Sequence, residues 1–191
     1  KYRAARRIWA HIVRDRFHGN DADSQRMRAA CVCGGHSLTK QEPLNNIART
    51  TVETMAVALG GVQSVFTAAY DEAFALPTEL AARTALRVQQ IVAYETDVAS
   101  TVDPLAGSYF VEALTDEMEK AILALMDEIA RKGGMVECLR TGWVQKKIGE
   151  RAHAWQRSLE KGEQIVAGVN RFGTGEAGDV EVHRVPPEIE R

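Results

Sequence analysis

The sequence predicts an α/β fold, because short strand-like segments alternate with longer helical segments along its 191 residues. Residues 27–33, 62–68 and 164–169 have the apolar and β-branched composition of strands. Segments with apolar residues three and four positions apart lie between and beyond them, as expected of helices. This order favours parallel βα units, either in a doubly wound sheet or in part of a barrel.

The predicted helices have recognisable boundaries. Their apolar positions span, in chain order, residues 5–13, 52–59, 82–92, 111–129 and 144–159. Glycine, a common residue past a helix end, follows the second, fourth and fifth of these segments. Thr78 is suited to cap the third, with Glu79 in its first turn. Beyond Arg171 we expect an extended tail.

Composition and charge narrow the class of protein. Hydrophobic residues make up 45% and charged residues 26% of the chain, which is typical of soluble globular proteins. A net charge of -2 gives no electrostatic basis for binding nucleic acid or an anionic membrane. Three cysteines do not make a disulfide framework and favour a cytoplasmic setting. Because the chain starts at Lys1, within a helix-like pattern, we expect an incomplete, split or processed polypeptide.

Two short motifs resemble ligand sites but lack the context that such sites need. Residues 172–178 have the G-x-G-x-x-G spacing of dinucleotide-binding loops, yet the prolines that follow prevent a prompt helix start. Cys31 and Cys33, near His36, lack the spacing and the second ligand pair of a zinc site. We therefore predict a plain loop, two packing cysteines and no metal.

A set of longer runs carries a more specific pattern. In chain order they are SLT (37–39), NNIART (45–50), GGVQS (60–64), YDEAFALPT (70–78) and VDPLAGSYFVE (102–112), with shorter runs at 133–135, 168–170 and 187–189. In order and spacing these runs resemble the large, substrate-binding subunit of the coenzyme B12-dependent acyl-CoA mutases of the methylmalonyl-CoA mutase family. The resemblance covers essentially the whole chain.

The resemblance implies a fold and a set of partners. Residues 1–134 would form the C-terminal portion of a (β/α)8 TIM barrel, and residues 135–191 a helical and extended C-terminal extension. The substrate would be an acyl-CoA, and the cofactor would be adenosylcobalamin. No histidine here lies in the family's Asp-x-His-x-x-Gly cobalt-ligand pattern. A separate B12-binding domain or small subunit would therefore hold most of the cofactor, in a hetero- or homo-oligomer that also includes the rest of the barrel.

The sequence departs from the family pattern on two predicted strands. A family His-x-Gln is replaced at Ala30 and Val32, and a family His-Thr-Asn is replaced by Phe-Thr-Ala at 66–68. Alternation along a strand places Ala30 and Val32 on one face, and Ser64, Phe66 and Ala68 on one face. Glu72, which matches a family contact to the adenosyl ribose, is retained.

These positions form the predicted site. The resemblance implies cofactor contacts at Glu72, Ala68, Ala30 and Val32, and substrate contacts at Phe66 and Ser64, while catalytic residues are expected upstream of residue 1. A lumen with so few polar groups favours an apolar branched or aromatic acyl group over methylmalonyl-CoA. Two alternatives stay open: a catalytically inactive structural subunit of a heteromeric mutase, and a free-standing α/β binding module unrelated to B12.

Overall fold

A computed structural model describes residues 1–175 and 180–184. In chain order, its elements are α1 (Tyr2–His11), α2 (Ala22–Gln25), β1 (Ala30–Cys33), α3 (Asn45–Leu59), β2 (Ser64–Thr67), α4 (Glu79–Glu95), α5 (Tyr109–Arg131), α6 (Met135–Arg140) and α7 (Trp143–Glu160). A π-helical turn, Ile12–Arg16, continues α1.

The order β1–α3–β2–α4 consists of two consecutive βα units. The two strands are parallel, and α3 provides the crossover between them. The mixed α/β fold and the parallel pairing predicted from the sequence are therefore confirmed. A closed barrel needs more strands than the described residues supply.

Local sequence signals set the helix ends. The Thr78 hydroxyl caps α4 by accepting a hydrogen bond from the Ala81 N–H at 3.3 Å, and Ser108 caps α5 in the same way. The helix α3 ends at Leu59, directly before the predicted glycine pair, because Gly61 adopts a φ of +72°, which favours glycine. The predicted cap of α4 and the predicted glycine stop of α3 are confirmed, whereas α3 begins at Asn45, before the apolar positions that start at residue 52.

The predicted strand at 164–169 is wrong. These residues form turns, with only an isolated bridge between Ala167 and Arg171. The Asn170 side chain is the physical reason, because its Oδ1 accepts a hydrogen bond from the Val166 N–H at 2.8 Å and its Nδ2 donates to two backbone oxygens. Such local side-chain bonds compete with sheet pairing, and Gly168 turns the chain with a φ of +77°.

The helices α3 and α4 cover one face of the two-stranded sheet. Cys33 and Thr67, at the strand ends, are buried on that face, and the Thr67 hydroxyl is hydrogen-bonded to that of Thr54 on α3 at 2.8 Å. Much of the buried surface comes from small residues, including Ala81 and Ala85 on α4, which lets the helices approach closely. Among the described residues, no helix is both long and apolar enough to cross a membrane.

A buried amide joins the loops that follow the two strands. Asn46 is 0% exposed, and its Oδ1 accepts hydrogen bonds from the Thr39 N–H at 3.1 Å and from Arg49 at 2.8 Å. Its Nδ2 donates to the carbonyls of Thr39 and Tyr70, both at 2.9 Å. These four bonds satisfy every donor and acceptor position of the amide. Arg49 also donates to the Ala167 carbonyl at 2.6 Å, which attaches the C-terminal loop.

A second polar cluster attaches α1 to the start of α5. The Arg3 guanidinium donates to the Asp103 carboxylate at 3.0 and 3.1 Å and to the Glu112 carboxylate at 2.7 Å. The Gly107 N–H donates to the same Glu112 carboxylate at 3.0 Å. The bonds from Arg3, and then that from Gly107, lower the pKa of Glu112 to about 2.

We predict that Asn46→Ala lowers the free energy of unfolding of the intact protein by roughly 3–5 kcal/mol, because it removes a fully buried amide and leaves its backbone partners at Thr39 and Tyr70 without their bonds. Denaturant unfolding measures this loss. The control is Asn45→Ala, which removes a neighbouring exposed amide with one bond to Glu42 and should cost less than about 1 kcal/mol. Equal losses in both variants would contradict the role of Asn46 in joining the loops.

The ion cluster predicts a defined acid sensitivity. Since the folded-state pKa of Glu112 lies below its ordinary value of 4.5, this carboxylate stabilises the fold above that pH, and the contribution is lost as the pH falls toward about 2. Glu112→Gln should therefore lower the melting temperature at neutral pH and flatten its dependence on pH across that window. Glu117→Gln, at an exposed position on the same helix, is the control. If the melting temperature of Glu112→Gln falls with decreasing pH as steeply as that of the parent, the proposed contribution of Glu112 is contradicted.

Candidate functional site

The face of the sheet opposite α3 and α4 is uncovered by the described residues. It presents two register pairs, Ala30 with Ser64 and Val32 with Phe66. Val32 is 67% exposed and Phe66 is 60% exposed, although both side chains are apolar. The predicted facing of these four residues is confirmed. Their side chains are cross-strand neighbours and form one largely apolar surface.

The prediction that Ala68 shares this exposed face with Phe66 is wrong. Alternation ends with β2, because Thr67 and the next two residues are all buried, with Ala68 only 1% exposed. Gly34 lies against it, so that a Cβ at Gly34 would come within 2.6 Å of the Ala68 Cβ. The φ of +109° at Gly34 also favours glycine there. The Ala68 side chain thus packs in the interior.

Glu72 lies in the loop between β2 and α4, beyond the C-terminal end of the strand. Its N–H donates to the Ala69 carbonyl at 3.1 Å, which holds its backbone in a turn. Its side chain is exposed and forms no hydrogen bond or ion pair with the described residues. In parallel α/β proteins this edge of the sheet is where ligands bind.

Sequence reasoning missed Asp71, the residue before Glu72. Its side chain is 2% exposed, and its Oδ2 accepts hydrogen bonds from the Thr78 N–H at 2.8 Å and the Thr78 hydroxyl at 3.1 Å. Its Oδ1 is also buried and accepts no hydrogen bond from the part of the chain that the structure describes. The available signal was an acidic residue in the loop that leads to a threonine-capped helix.

The cysteines of the predicted packing pair lie on the covered side of β1. Cys33 is buried, and this burial raises the pKa of its thiol to about 11. Cys31 is hydrogen-bonded to the Tyr2 hydroxyl at 2.7 Å, which raises the pKa of Tyr2 to about 12. His36 is exposed. Within residues 1–175 and 180–184, no three His, Cys, Asp or Glu side chains lie close enough together to hold a metal ion.

The glycine-rich motif is only partly described. Residues 172–175 form a non-helical loop against Glu42, whose carboxylate accepts a hydrogen bond from the Thr174 N–H at 3.3 Å. The rest of the motif, and the run at 187–189, lie outside the described residues. The described half therefore packs the C-terminal loop against the loop that precedes α3.

Two features therefore characterise this part of the sheet: an apolar uncovered face and an exposed carboxylate. The uncovered face provides apolar surface from both strands, and the loop after β2 provides an exposed carboxylate. The loops that form this edge are joined by the buried Asn46 amide. Such an arrangement is suited to a ligand with a large apolar part and a hydrogen-bond donor at one end.

Comparisons with known proteins find relatives that match nearly the whole chain. The family model for methylmalonyl-CoA mutase matches residues 1–191. The chain is 43% identical over 184 residues to the 2-hydroxyisobutanoyl-CoA mutase large subunit of Aquincola tertiaricarbonis, covering 96% of this chain and 33% of that protein. It is 41% identical over 170 residues to methylmalonyl-CoA mutase of Escherichia coli, covering 89% and 24%. For the mitochondrial methylmalonyl-CoA mutase of Homo sapiens the identity is 40% over 182 residues, covering 95% and 24%.

The chain thus spans between a quarter and a third of the length of these relatives, which are named as mutases, a class of isomerases. The match over all residues overturns the interpretation as an unrelated binding module. The chain belongs to the methylmalonyl-CoA mutase family.

Proposed function

We propose that the intact protein is an adenosylcobalamin-dependent acyl-CoA mutase, in which residues 1–134 complete a (β/α)8 barrel and residues 135–191 extend it. One observation carries this proposal: two parallel strands are covered by helices on one face only, and their other face is apolar. Parallel sheets are normally buried on both faces, so further strands or a ligand must cover this one. The names of the relatives support the reaction class.

The residues at this edge fit the cofactor that the family implies. When bound, adenosylcobalamin supplies the one-electron chemistry for rearranging the carbon skeleton of the substrate. Val32 offers exposed apolar surface, and Ala30 leaves space beside it. Glu72 offers an exposed carboxylate that can accept hydrogen bonds from ribose hydroxyls. A B12-binding domain or small subunit would hold the remainder of the cofactor.

The residues on β2 bear on the substrate. Ser64 and Phe66, two positions apart on β2, both lie on the uncovered face, and we assign them to the surroundings of the acyl group. The exposed ring of Phe66 would exclude water from the reacting carbon once the lumen is closed. The substrate-gripping polar residues are expected in the part of the barrel that precedes residue 1.

This surface favours an uncharged acyl group. A second carboxylate, as in methylmalonyl-CoA, would lie against Val32 and Phe66 without a charged partner, and burying an unpaired charge is costly. An apolar branched or aromatic group would gain about 25 cal/mol for each Å² removed from water. The relative from Aquincola tertiaricarbonis is named for a branched acyl group that carries a hydroxyl and no second carboxylate, which supports an uncharged acyl group.

We predict that Glu72→Gln slows turnover by the intact holoenzyme roughly tenfold, because it weakens a charge-assisted hydrogen bond worth about 1.5–3 kcal/mol. The melting temperature should stay unchanged, since this carboxylate bonds to no described residue. The matched control is Glu79→Gln, which changes another exposed carboxylate at the first residue of α4 and should retain full activity. Full activity in Glu72→Gln would remove Glu72 from the site, and a large loss of melting temperature would assign it a structural role.

We also predict that the holoenzyme turns over apolar branched or aromatic acyl-CoA thioesters faster than methylmalonyl-CoA. Turnover rates across a panel of thioesters measure this preference. The double variant Val32→Gln, Phe66→His should shift the preference toward methylmalonyl-CoA, because it returns polar groups to the uncovered face. Val52→Gln, an exposed valine on α3, controls for added surface polarity.

Two results would count against that preference or its basis. Faster turnover of methylmalonyl-CoA by the parent enzyme would refute the argument from the apolar face. Absence of turnover for every thioester, with no radical signal in electron paramagnetic resonance, would favour the alternative of an inactive structural subunit.

A further inference from the structure

We infer that Asp71 is a positioning residue for Glu72. Its buried carboxylate fixes the loop after β2 so that the Glu72 carboxylate meets the adenosyl ribose, and this inference rests on the function proposed above. Asp71 itself lies in the interior and touches no ligand, because its side chain is only 2% exposed.

The hydrogen bonds of Asp71 close the loop that carries Glu72. Its Oδ2 accepts from the Thr78 N–H at 2.8 Å and from the Thr78 hydroxyl at 3.1 Å, which joins the start of the loop to the start of α4. Its backbone carbonyl accepts from the Phe74 N–H at 2.8 Å and the Ala75 N–H at 3.3 Å. Glu72 is therefore held between two groups of bonds that both converge on Asp71.

The other side of the loop is fixed as well. The Tyr70 carbonyl accepts a hydrogen bond from the buried Asn46 amide at 2.9 Å. Positions 70 and 71 are thus anchored to α3 and α4 respectively, and Glu72 is the next residue along the chain. An exposed side chain on an anchored backbone loses little further entropy when it binds a ligand.

A helix-capping role explains only part of this arrangement. A negative charge near the start of α4 is favourable, and Oδ2 also accepts both bonds from Thr78. However, Oδ1 is buried without a hydrogen bond from any described residue. Buried polar atoms without a partner are uncommon, and departures of this kind concentrate at functional sites.

The test compares two cobalamins in the intact enzyme with its B12-binding domain or subunit present. Adenosylcobalamin carries the adenosyl ribose, whereas methylcobalamin has a methyl group in place of the whole adenosyl group. Asp71→Ala should raise the Kd for adenosylcobalamin about tenfold, because the Glu72 contact is charge-assisted, while the Kd for methylcobalamin should change less than about twofold. Absorbance titration measures both constants without any turnover.

A conservative variant and a stability control separate positioning from general damage. Asp71→Asn keeps an oxygen that can accept both bonds from Thr78, so it should stay within about threefold of the parent for both cobalamins. Thr54→Val removes the buried bond to Thr67 and should lower the melting temperature without changing the ratio of the two constants. If Asp71→Ala does not fold, Thr78→Ala removes the hydroxyl that donates to Asp71, together with the capping bond from the Ala81 N–H, and should still weaken adenosylcobalamin binding selectively.

The variant Glu72→Gln distinguishes the two proposals. The quantity to compare is the Kd for methylcobalamin divided by the Kd for adenosylcobalamin. If Glu72→Gln and Asp71→Ala each lower this ratio, and the double variant lowers it no further than either alone, the positioning role is supported. If Glu72→Gln narrows the ratio and Asp71→Ala leaves it unchanged, or weakens both cobalamins equally, the role of Asp71 is overturned while the ribose contact stands. A parent without preference for adenosylcobalamin, or a Glu72→Gln variant that keeps the preference, overturns both.

Discussion

The hydrogen bonds of the Asn46 amide hold together the edge of the sheet on which every candidate contact depends. A polar group that is 0% exposed is tolerated only when each of its donors and acceptors has a partner, and here all four have one. Three of those partners are backbone groups of Thr39 and Tyr70, in the loops after β1 and β2. The two βα units therefore cannot shift relative to each other without breaking this set.

That constraint explains why polar and apolar features can lie side by side at this edge. The interior loops are fixed by buried polar side chains, so the surface residues need not contribute to stability. Val32 and Phe66 are consequently available as apolar surface, and Glu72 as an exposed carboxylate. When the surface residues of a site do not stabilise the fold, substitutions there can change specificity while the fold is retained.

The sequence predicted most of the local structure, and its failures have identifiable causes. The start of α4 and the end of α3 were predicted correctly, because both depend on nearby residues, the Thr78 cap and the glycine pair after Leu59. The supposed strand at 164–169 failed because propensity takes no account of the Asn170 side chain bonding to the backbone. The predicted facing of Ala68 was wrong because the alternation of a strand does not show where the strand ends. Asn46 gains its role only where the loops of two units meet, which no local pattern reveals. Asp71 bonds within its own loop to Thr78, so its signal was local and was overlooked.

The hydrogen bond between Arg49 and the Ala167 carbonyl constrains where chimeras between members of this family can be joined. A crossover at residue 134 follows the division implied by the resemblance, yet the Arg49 bond and the bond from Thr174 to Glu42 both cross it. A chimera that takes its two halves from different parents would pair an α3 from one with a C-terminal loop from the other. Interchangeable parts in this family are therefore better delimited by matched loop-and-helix contacts than by a division at residue 134.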